Sequence, residues 1–384
     1  MIIRVNKKKI LIIPWTFTCG GGSERILNNI LSEFKNEEFD IDIFEIERGE
    51  KINYIENLSN INYLYTKKKY SDNILDKVSR KFKFLILKYF PSIIKRIYLK
   101  DKYDIVISFN YLYPSFLAAK FKGKKLMWVH GTIENLDYNK YTSLSRINRK
   151  ILFNLQKKAF KKANKIVCIA NNTRKSVEDL YLDFKSKLVI LRNGYDIENI
   201  RKNSMENLDS EECDLIAVGR LDKNKNFSML IDTIKYVVKD IPNIKLCIVG
   251  DGEERNHLEK KIDEYKLHNN IKLLGYKENV YPYIKNSKLL ILTSIAEGFP
   301  TVIVEGMVLG KPFISTKVGG VDELSNLGIC GLIIKDTEEL YNEIIHIIRD
   351  ENLYRKMQDE CIKASYKYTL ENQKNEIMRL IMEN

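Results

Sequence analysis

Three loops in this 384-residue chain carry residue types that could do chemistry. The most specific is Ser294-Ile295-Ala296-Glu297-Gly298-Phe299-Pro300-Thr301-Val302-Ile303-Val304-Glu305. A strand-like run ends near Thr293. Pro300 and Thr301 suit the opening of a helix, and Gly310 and Pro312 suit its stop. The unsatisfied N–H groups of such a first turn, with the helix dipole, can hold a diphosphate. Glu297 lies just ahead of that helix and Glu305 lies inside it. Carboxylates accept hydrogen bonds and sugar hydroxyls donate them, so these acids could flank a nucleotide sugar. Two acids alone would equally suit a capped surface helix. The Glu-Gly-Phe-Pro pattern, with seven residues between the acids, is the specific part.

The second loop is Gly219-Arg220-Leu221-Asp222-Lys223-Asn224-Lys225-Asn226. From it Arg220, a planar fork, and Lys225, a point charge, can converge on one dianion. As a bare charge cluster it would be a solvated turn; its place after a strand favours function. The third is Gly20-Gly21-Gly22-Ser23, which follows the first strand and opens a helix. Glycines there let backbone N–H groups approach a phosphate or sugar, although a plain tight turn reads the same way. The loop is not Gly-x-Gly-x-x-Gly.

These loops need strands to position them. Ile10–Ile13, Phe39–Phe44, Asp104–Ser108, Leu126–Val129, Lys165–Ile169 and Leu188–Leu191 are short apolar runs separated mostly by helical patterns. After a polar stretch from Ile200 to Glu212 the pattern restarts, at 215–218, 246–249, 271–274, 289–292, 313–315 and 332–334. Such alternation indicates parallel sheets covered on both faces. The fold class is α/β, two Rossmann-like doubly wound domains facing across a cleft. Residues 1–199 form the first domain and 200–367 the second, with a final amphipathic helix over 368–384 packing back on the first. Ligands of open parallel sheets bind beyond the carboxyl ends of strands, where these loops lie.

Composition narrows the class further. Charged residues at 30% and hydrophobic ones at 44% fit neither a disordered chain nor a membrane bundle. The apolar run after Lys7-Lys8-Lys9 is too short for a secretory leader. Six scattered cysteines, with no Cys-x-x-Cys, argue against a disulfide framework or zinc site and for a cytoplasmic protein. The net charge of +13 suits a phosphate-bearing partner. From Lys77 to Lys100 there are eight Lys or Arg and no acid, interleaved with aromatic and aliphatic residues. Such a segment suits an anionic membrane surface, with Lys81, Lys83 and Lys88 as the contacting cations. An ordinary surface helix, its lysines snorkelling over its own core face, is the other reading. Asp40-Ile41-Asp42 could suggest a metal site, but its place in an alternating stretch reads as strand polarity, and no metal or other cofactor is expected.

The motifs together resemble glycosyltransferase family 4, the retaining GT-B glycosyltransferases with a Glu-x7-Glu motif. Glu297 and Glu305 match that motif. Gly219-Arg220-Leu221 with Lys225-Asn226 resembles the family's Gly-Arg-Leu…Lys-Asn segment, and Gly20-Gly21-Gly22-Ser23-Glu24 its acceptor-side glycine loop. Val189 to Asp196 resembles the Asn-Gly-Val-Asp segment before the linker, and Gly319-Gly320 with Glu323 a later glycine loop. The order and spacing agree over nearly the whole chain. The resemblance implies that Arg220 and Lys225 neutralise the donor diphosphate, with Gly219 beside them. It implies that Glu305 binds the ribose and that Glu297 faces the hexose. Gly298, Phe299, Pro300 and the amides of Thr301 and Val302 would complete the cradle. Gly21 and Gly22 would approach the diphosphate or hexose from the other domain, and His130 would lie near the hexose. Ala170 and Tyr195 depart from the common serine and valine and receive no role.

The expected activity is retaining transfer of a hexose or N-acetylhexosamine from a nucleoside-diphosphate sugar, UDP-linked by preference. The expected acceptor is a saccharide of cell-envelope polysaccharide or glycan synthesis. If that acceptor is lipid-linked, the basic segment 77–100 would dock the enzyme peripherally on the cytosolic membrane face. A nucleotide-sugar epimerase of the same fold is the enzymatic alternative. A basic nucleic-acid-binding protein is the alternative from another class, but no recognition-helix or aromatic RNA-binding signature supports it, so no nucleic-acid partner is expected.

Overall fold

The computed structural model describes residues 7–18, 22–34, 39–49, 61–66, 74–99, 102–133, 146–207 and 213–383. The chain forms two compact units, one of residues 1–194 with 370–384 and one of residues 195–369. The sequence boundaries fell at 199/200 and 367/368.

Among the described residues the first unit holds seven strands: β1 Lys8–Ile13, β2 Phe39–Arg48, β3 Ile61–Thr66, β4 Ile105–Ser108, β5 Lys124–Val129, β6 Lys165–Cys168 and β7 Leu188–Ile190. They lie in the order β3-β2-β1-β4-β5-β6-β7, every pair parallel. The central strands are continuous apolar runs because helices cover both faces; all four residues of β4 are buried. The helix Gly22–Phe34 turns Ile26, Leu27, Ile30, Leu31 and Phe34 inward. The last helix, Leu370–Met382, packs against it, and Ile377 and Ile381 meet Leu27 and Ile30 above Ile10 and Ile12 of β1. Strand β3 has no counterpart among the sequence expectations. It is a sheet edge on which Asn62 and Tyr63 face solvent, so its pattern is too polar to resemble a buried parallel strand.

The second unit holds β8 Leu215–Val218, β9 Leu246–Val249, β10 Ile271–Gly275, β11 Leu289–Leu292, β12 Phe313–Thr316 and β13 Gly331–Ile334. Their order is β10-β9-β8-β11-β12-β13, again all parallel. Both sheets therefore reverse strand order once, between β1 and β4 and between β8 and β11. Such a switch point opens a crevice at the strands' carboxyl ends.

One expectation is corrected, and two other sequence readings are located in the fold. Cys213, just ahead of β8, lies against Cys247 of β9, with Cα atoms 6.0 Å apart; the two are distant in sequence and meet only because β8 and β9 are neighbours. Lys83 and Lys88 do not face outward from the basic helix Ile74–Tyr89. Lys83 Nζ donates to the Leu64 carbonyl at 3.0 Å, and Lys88, only 9% exposed, donates to Asn148 Oδ1 at 3.3 Å. Asp40 and Asp42 do lie on one strand face, but both are taken up by the fold. Lys9 Nζ is 3.9 and 3.5 Å from them, and the Tyr103 hydroxyl donates to Asp42 at 2.8 Å.

Candidate functional site

In the second unit the two loops singled out by sequence follow β8 and β11, the strands that flank the switch point. They are tied together. Asn224 Nδ2 donates to the Ala296 carbonyl at 2.9 Å, the Ile295 amide to the Asn224 carbonyl at 2.7 Å, and the Thr293 hydroxyl to the Lys225 carbonyl at 2.9 Å. This frame brings Lys225 Nζ to 2.6 Å from Glu297 Oε1, and Ser294 Oγ donates to the same oxygen at 2.7 Å. The pair is partly buried, with about one-fifth of each side chain exposed, so its charge-assisted bond is weakly screened.

Arg220 is held differently. Its Nε and Nη2 contact Asp222 Oδ2 at 2.7 and 2.6 Å, while Asp222 Oδ1 accepts from the Lys225 amide at 3.1 Å. Asp222 thus fixes both cationic positions, a role that sequence reasoning missed. The Arg220 side chain is 79% exposed. Asp222 is only 15% exposed, but the guanidinium itself faces water and can turn toward a phosphate. Next in the loop, Asn226 adopts the left-handed conformation (φ 50°) and opens the helix Phe227–Asp240. Asn tolerates that region better than most side chains.

Glycines set the spacing. A Cβ on Gly219 would lie 3.0 Å from Lys225 Cε, so the lysine stem crosses the strand end because Gly219 has no side chain. A Cβ on Gly250, after β9, would lie 1.8 Å from the Gly219 carbonyl oxygen. Gly319 has φ +44°, and a Cβ there would lie 2.8 Å from the Gly298 carbonyl oxygen and 3.0 Å from that of Glu297. The Gly319 loop therefore presses on the backbone that carries Glu297. The glycine pair Gly250 and Gly252 after a strand was a sequence signal that went unused.

The helix after β11 runs Thr301–Val308, with Pro300 as its N-cap. No side chain caps it and no acid lies in its first turn. Proline offers no hydroxyl or carboxylate to the first-turn amides, so they retain their capacity for an anion. Thr301 and Val302 are partly exposed there, while Phe299 and Pro300 are buried, Phe299 with its ring 5.8 Å from that of Tyr368. Glu305 lies one turn in and is 3% exposed. Gly306 beside it would bring a Cβ to 2.9 Å from Leu290, so its lack of a side chain lets the helix lie close on β11.

The first unit contributes its own strand-end residues. Gly22 opens the helix Gly22–Phe34, whereas Gly21 lies outside the described residues. The segment after β1 that leads into the glycine loop is braced by two acids of β2. Glu45 Oε2 accepts from the Phe17 amide at 3.0 Å and the Thr18 hydroxyl at 2.9 Å, and Glu47 Oε2 accepts from Trp15 Nε1 at 3.1 Å. Burial pushes the Glu45 carboxyl above its ordinary range, against the opposing bonds from Phe17 and Thr18. Asn110, just beyond β4, accepts from the Trp15 amide at 2.7 Å and ties the two sides of this switch point together. His130 follows β5. Its ring stands 4.5 Å from Phe109, and Nε2 is sealed from solvent with no hydrogen-bond partner among the described residues. Burial pulls its pKa down to about 4 against the backbone bond with Phe109, so the imidazole is neutral at pH 7.

Comparison with known proteins agrees with this arrangement. Residues 20–199 match the family described as Glycosyltransferase Family 4, and residues 196–368 match Glycosyl transferases group 1. An uncharacterized glycosyltransferase of Methanocaldococcus jannaschii is 32% identical over 201 residues, 50% of this chain and 48% of that protein. The N-acetylgalactosamine-N,N'-diacetylbacillosaminyl-diphospho-undecaprenol 4-alpha-N-acetylgalactosaminyltransferase of Campylobacter jejuni is 26% identical over 352 residues, 90% of each chain. Among solved structures, Anabaena HepE in complex with UDP superposes with a TM-score of 0.75 at 19% identity, covering 97% of this chain and 99% of that one. At that identity the likeness is one of fold.

Proposed function

We propose that this chain, a GT-B glycosyltransferase with a Glycosyltransferase Family 4 half followed by a group 1 half, is a retaining enzyme. In this reading it moves a hexose or N-acetylhexosamine from UDP to a saccharide carried on a lipid diphosphate. The observation that carries the reading is the joining of Lys225 and Glu297 across the β8/β11 switch point, beside an uncapped helix start. The similarity to the Campylobacter enzyme, named for a diphospho-undecaprenol substrate, supports the lipid-linked acceptor. The UDP in the Anabaena complex supports the uridine nucleotide.

As the donor's glycosidic bond breaks, negative charge grows on the leaving diphosphate. Arg220, Lys225 and the first-turn amides of Thr301 and Val302 stabilise that charge, with Gly219, Gly298 and Pro300 shaping the backbone around it. Glu305 accepts from the ribose hydroxyls, and Glu297 accepts from hexose hydroxyls when the diphosphate draws Lys225 away. In the first unit Gly22 gives the acceptor-side loop its close backbone approach. His130 is assigned to the hexose by the resemblance alone, since its neutral Nε2 is sealed from solvent. These fixed cations and dipoles take the part a divalent metal plays elsewhere, so the reaction needs none. No side chain is assigned as a covalent nucleophile, so the acceptor attacks the face the diphosphate leaves.

A panel of UDP- and GDP-sugars incubated with a lipid-diphosphate saccharide tests the reading. The expected result is UDP release that depends on the acceptor, with the product's anomeric proton showing the donor's configuration by NMR. An inverted product refutes retention. Turnover of GDP-sugars alone refutes the nucleotide assignment.

A further inference from the structure

Cys213 and Cys247 are separated by 34 positions in sequence, yet their Cα atoms lie 6.0 Å apart, within the span that a disulfide bridges. The adjacency of β8 and β9 brings them near, and a bend completes the contact. The two strands pair with Leu215 opposite Leu246 and Ile216 opposite Cys247, so a straight extension of β8 would carry Cys213 away from Cys247. The chain instead bends at Asp214. That bend is pinned by three bonds. Asp214 Oδ2 accepts from the Lys245 amide at 3.0 Å, and Oδ1 accepts from Lys288 Nζ at 2.9 Å. The Asp214 amide donates to the Lys245 carbonyl at 3.0 Å. Cys213 is thereby folded back beside the second residue of β9.

The other described cysteines are placed differently. Cys168 is wholly buried on β6, and burial pushes its thiol up to about 12. Cys330 and Cys361 are also wholly buried, and Cys361 Sγ donates to the Cys330 carbonyl at 3.2 Å and to the Lys311 carbonyl at 3.5 Å. Thiols so enclosed are kept from an oxidant. Cys213 is partly exposed, whereas Cys247 behind it is 3% exposed. One thiol can meet a reagent from solvent and the second stands within reach of it, which is what thiol–disulfide exchange requires.

We propose that Cys213 and Cys247 form a reversible redox pair, oxidised to a disulfide by a low-molecular-weight disulfide such as oxidised glutathione. The Cys213 thiolate attacks one sulfur of the oxidant, forming a mixed disulfide and releasing one glutathione thiolate. The Cys247 thiolate then attacks the Cys213 sulfur, closing the protein disulfide and releasing the second glutathione. Two protein thiols are oxidised, the oxidant is reduced to two thiols, and the two protons lost by the cysteines end on them. The closed segment 213–247 contains β8, the 219–226 loop and the helix Phe227–Asp240. Oxidation therefore staples the entry of β8 to β9, at the end of β8 opposite the loop that carries Arg220 and Lys225. Such a cross-link stabilises mainly by removing freedom from the unfolded chain. Neither the donor nor the acceptor chemistry enters this pairing.

The test is peptide mapping by mass spectrometry of the full chain, reduced with dithiothreitol and then incubated with oxidised glutathione. Oxidation should join the Cys213 and Cys247 peptides with the loss of two hydrogen atoms, and dithiothreitol should separate them again. The joined protein should melt about 5 °C or more above the reduced one. Cys213→Ser, a change at a partly exposed position, should melt as the reduced wild type does and show no rise on oxidation. Both thiols recovered reduced, or glutathione retained on Cys213 with no joined peptide, overturns the proposal. So does a link between any other two cysteines in its place, or equal melting of the joined and the reduced protein. A rise on oxidation that persists in Cys213→Ser contradicts it too, since the effect would then belong to other thiols.

Discussion

Lys225 Nζ and Glu297 Oε1 are 2.6 Å apart, although one is assigned to the leaving diphosphate and the other to the hexose. The pairing makes the two residues interdependent. An incoming diphosphate that attracts Lys225 frees Glu297 Oε1 to accept from a sugar, with Ser294 still donating to that oxygen. Lys225→Ala removes a charged donor to the leaving group and should lower kcat by two or more orders of magnitude, or about 2–4 kcal/mol of transition-state stabilisation. Steady-state release of UDP measures it. Because the partners touch, Lys225→Ala combined with Glu297→Ala should lose less than the sum of the single changes; strict additivity would argue that the pair does not act as a unit.

Gly319 tests the support beneath Glu297. Its φ is +44°, and a Cβ there would press within 2.8 Å of the Gly298 carbonyl oxygen. Gly319→Ala should cost about 1–3 kcal/mol of stability from backbone strain and raise KM for the donor. Thermal melting and donor titration check the two effects separately. A variant with wild-type melting and KM would show that the Gly319 loop does not support the site.

Glu45 holds the segment leading into the glycine loop. Glu45→Ala strands the Phe17 amide and removes an acceptor from the Thr18 hydroxyl, itself the acceptor for the Gly49 amide at 2.6 Å. A buried donor left unpaired costs about 1–3 kcal/mol, so chemical denaturation should show a loss of that order.

His130 sets a pH dependence with a definite sign. Its pKa is about 4 in the folded protein, below the ordinary value of 6.5. Between those values the unfolded chain binds a proton that the folded one excludes, so this group's contribution to stability is full above 6.5 and falls as pH drops toward 4. His130→Gln should flatten that part of the melting-temperature profile. An imidazole titrating near 6.5 by NMR in the folded protein would contradict it.

Much of the candidate site in the second unit was legible in the sequence because it is local. Glu297, Pro300, Thr301 and Glu305 share one loop and helix, and a glycine–cation loop follows a strand whose apolar run is short and clear. The pairings were less legible because they depend on which strands are neighbours. Lys225 meets Glu297 only because β8 lies beside β11, and Cys213 meets Cys247 only because β8 lies beside β9. Lys83 and Lys88 misled for a related reason. Composition shows a basic helix, but which lysines turn inward depends on the Leu64 carbonyl and Asn148, set on other elements. Strand β3 escaped because its edge position leaves Asn62 and Tyr63 in water.

The central claim is that the loops after β8 and β11 receive the diphosphate of a nucleotide sugar. A crystal structure with UDP bound tests it most directly. The account predicts the diphosphate against Arg220, Lys225 and the amides of Thr301 and Val302, with the ribose on Glu305. UDP bound away from that helix start, with Lys225 still paired to Glu297, would contradict it.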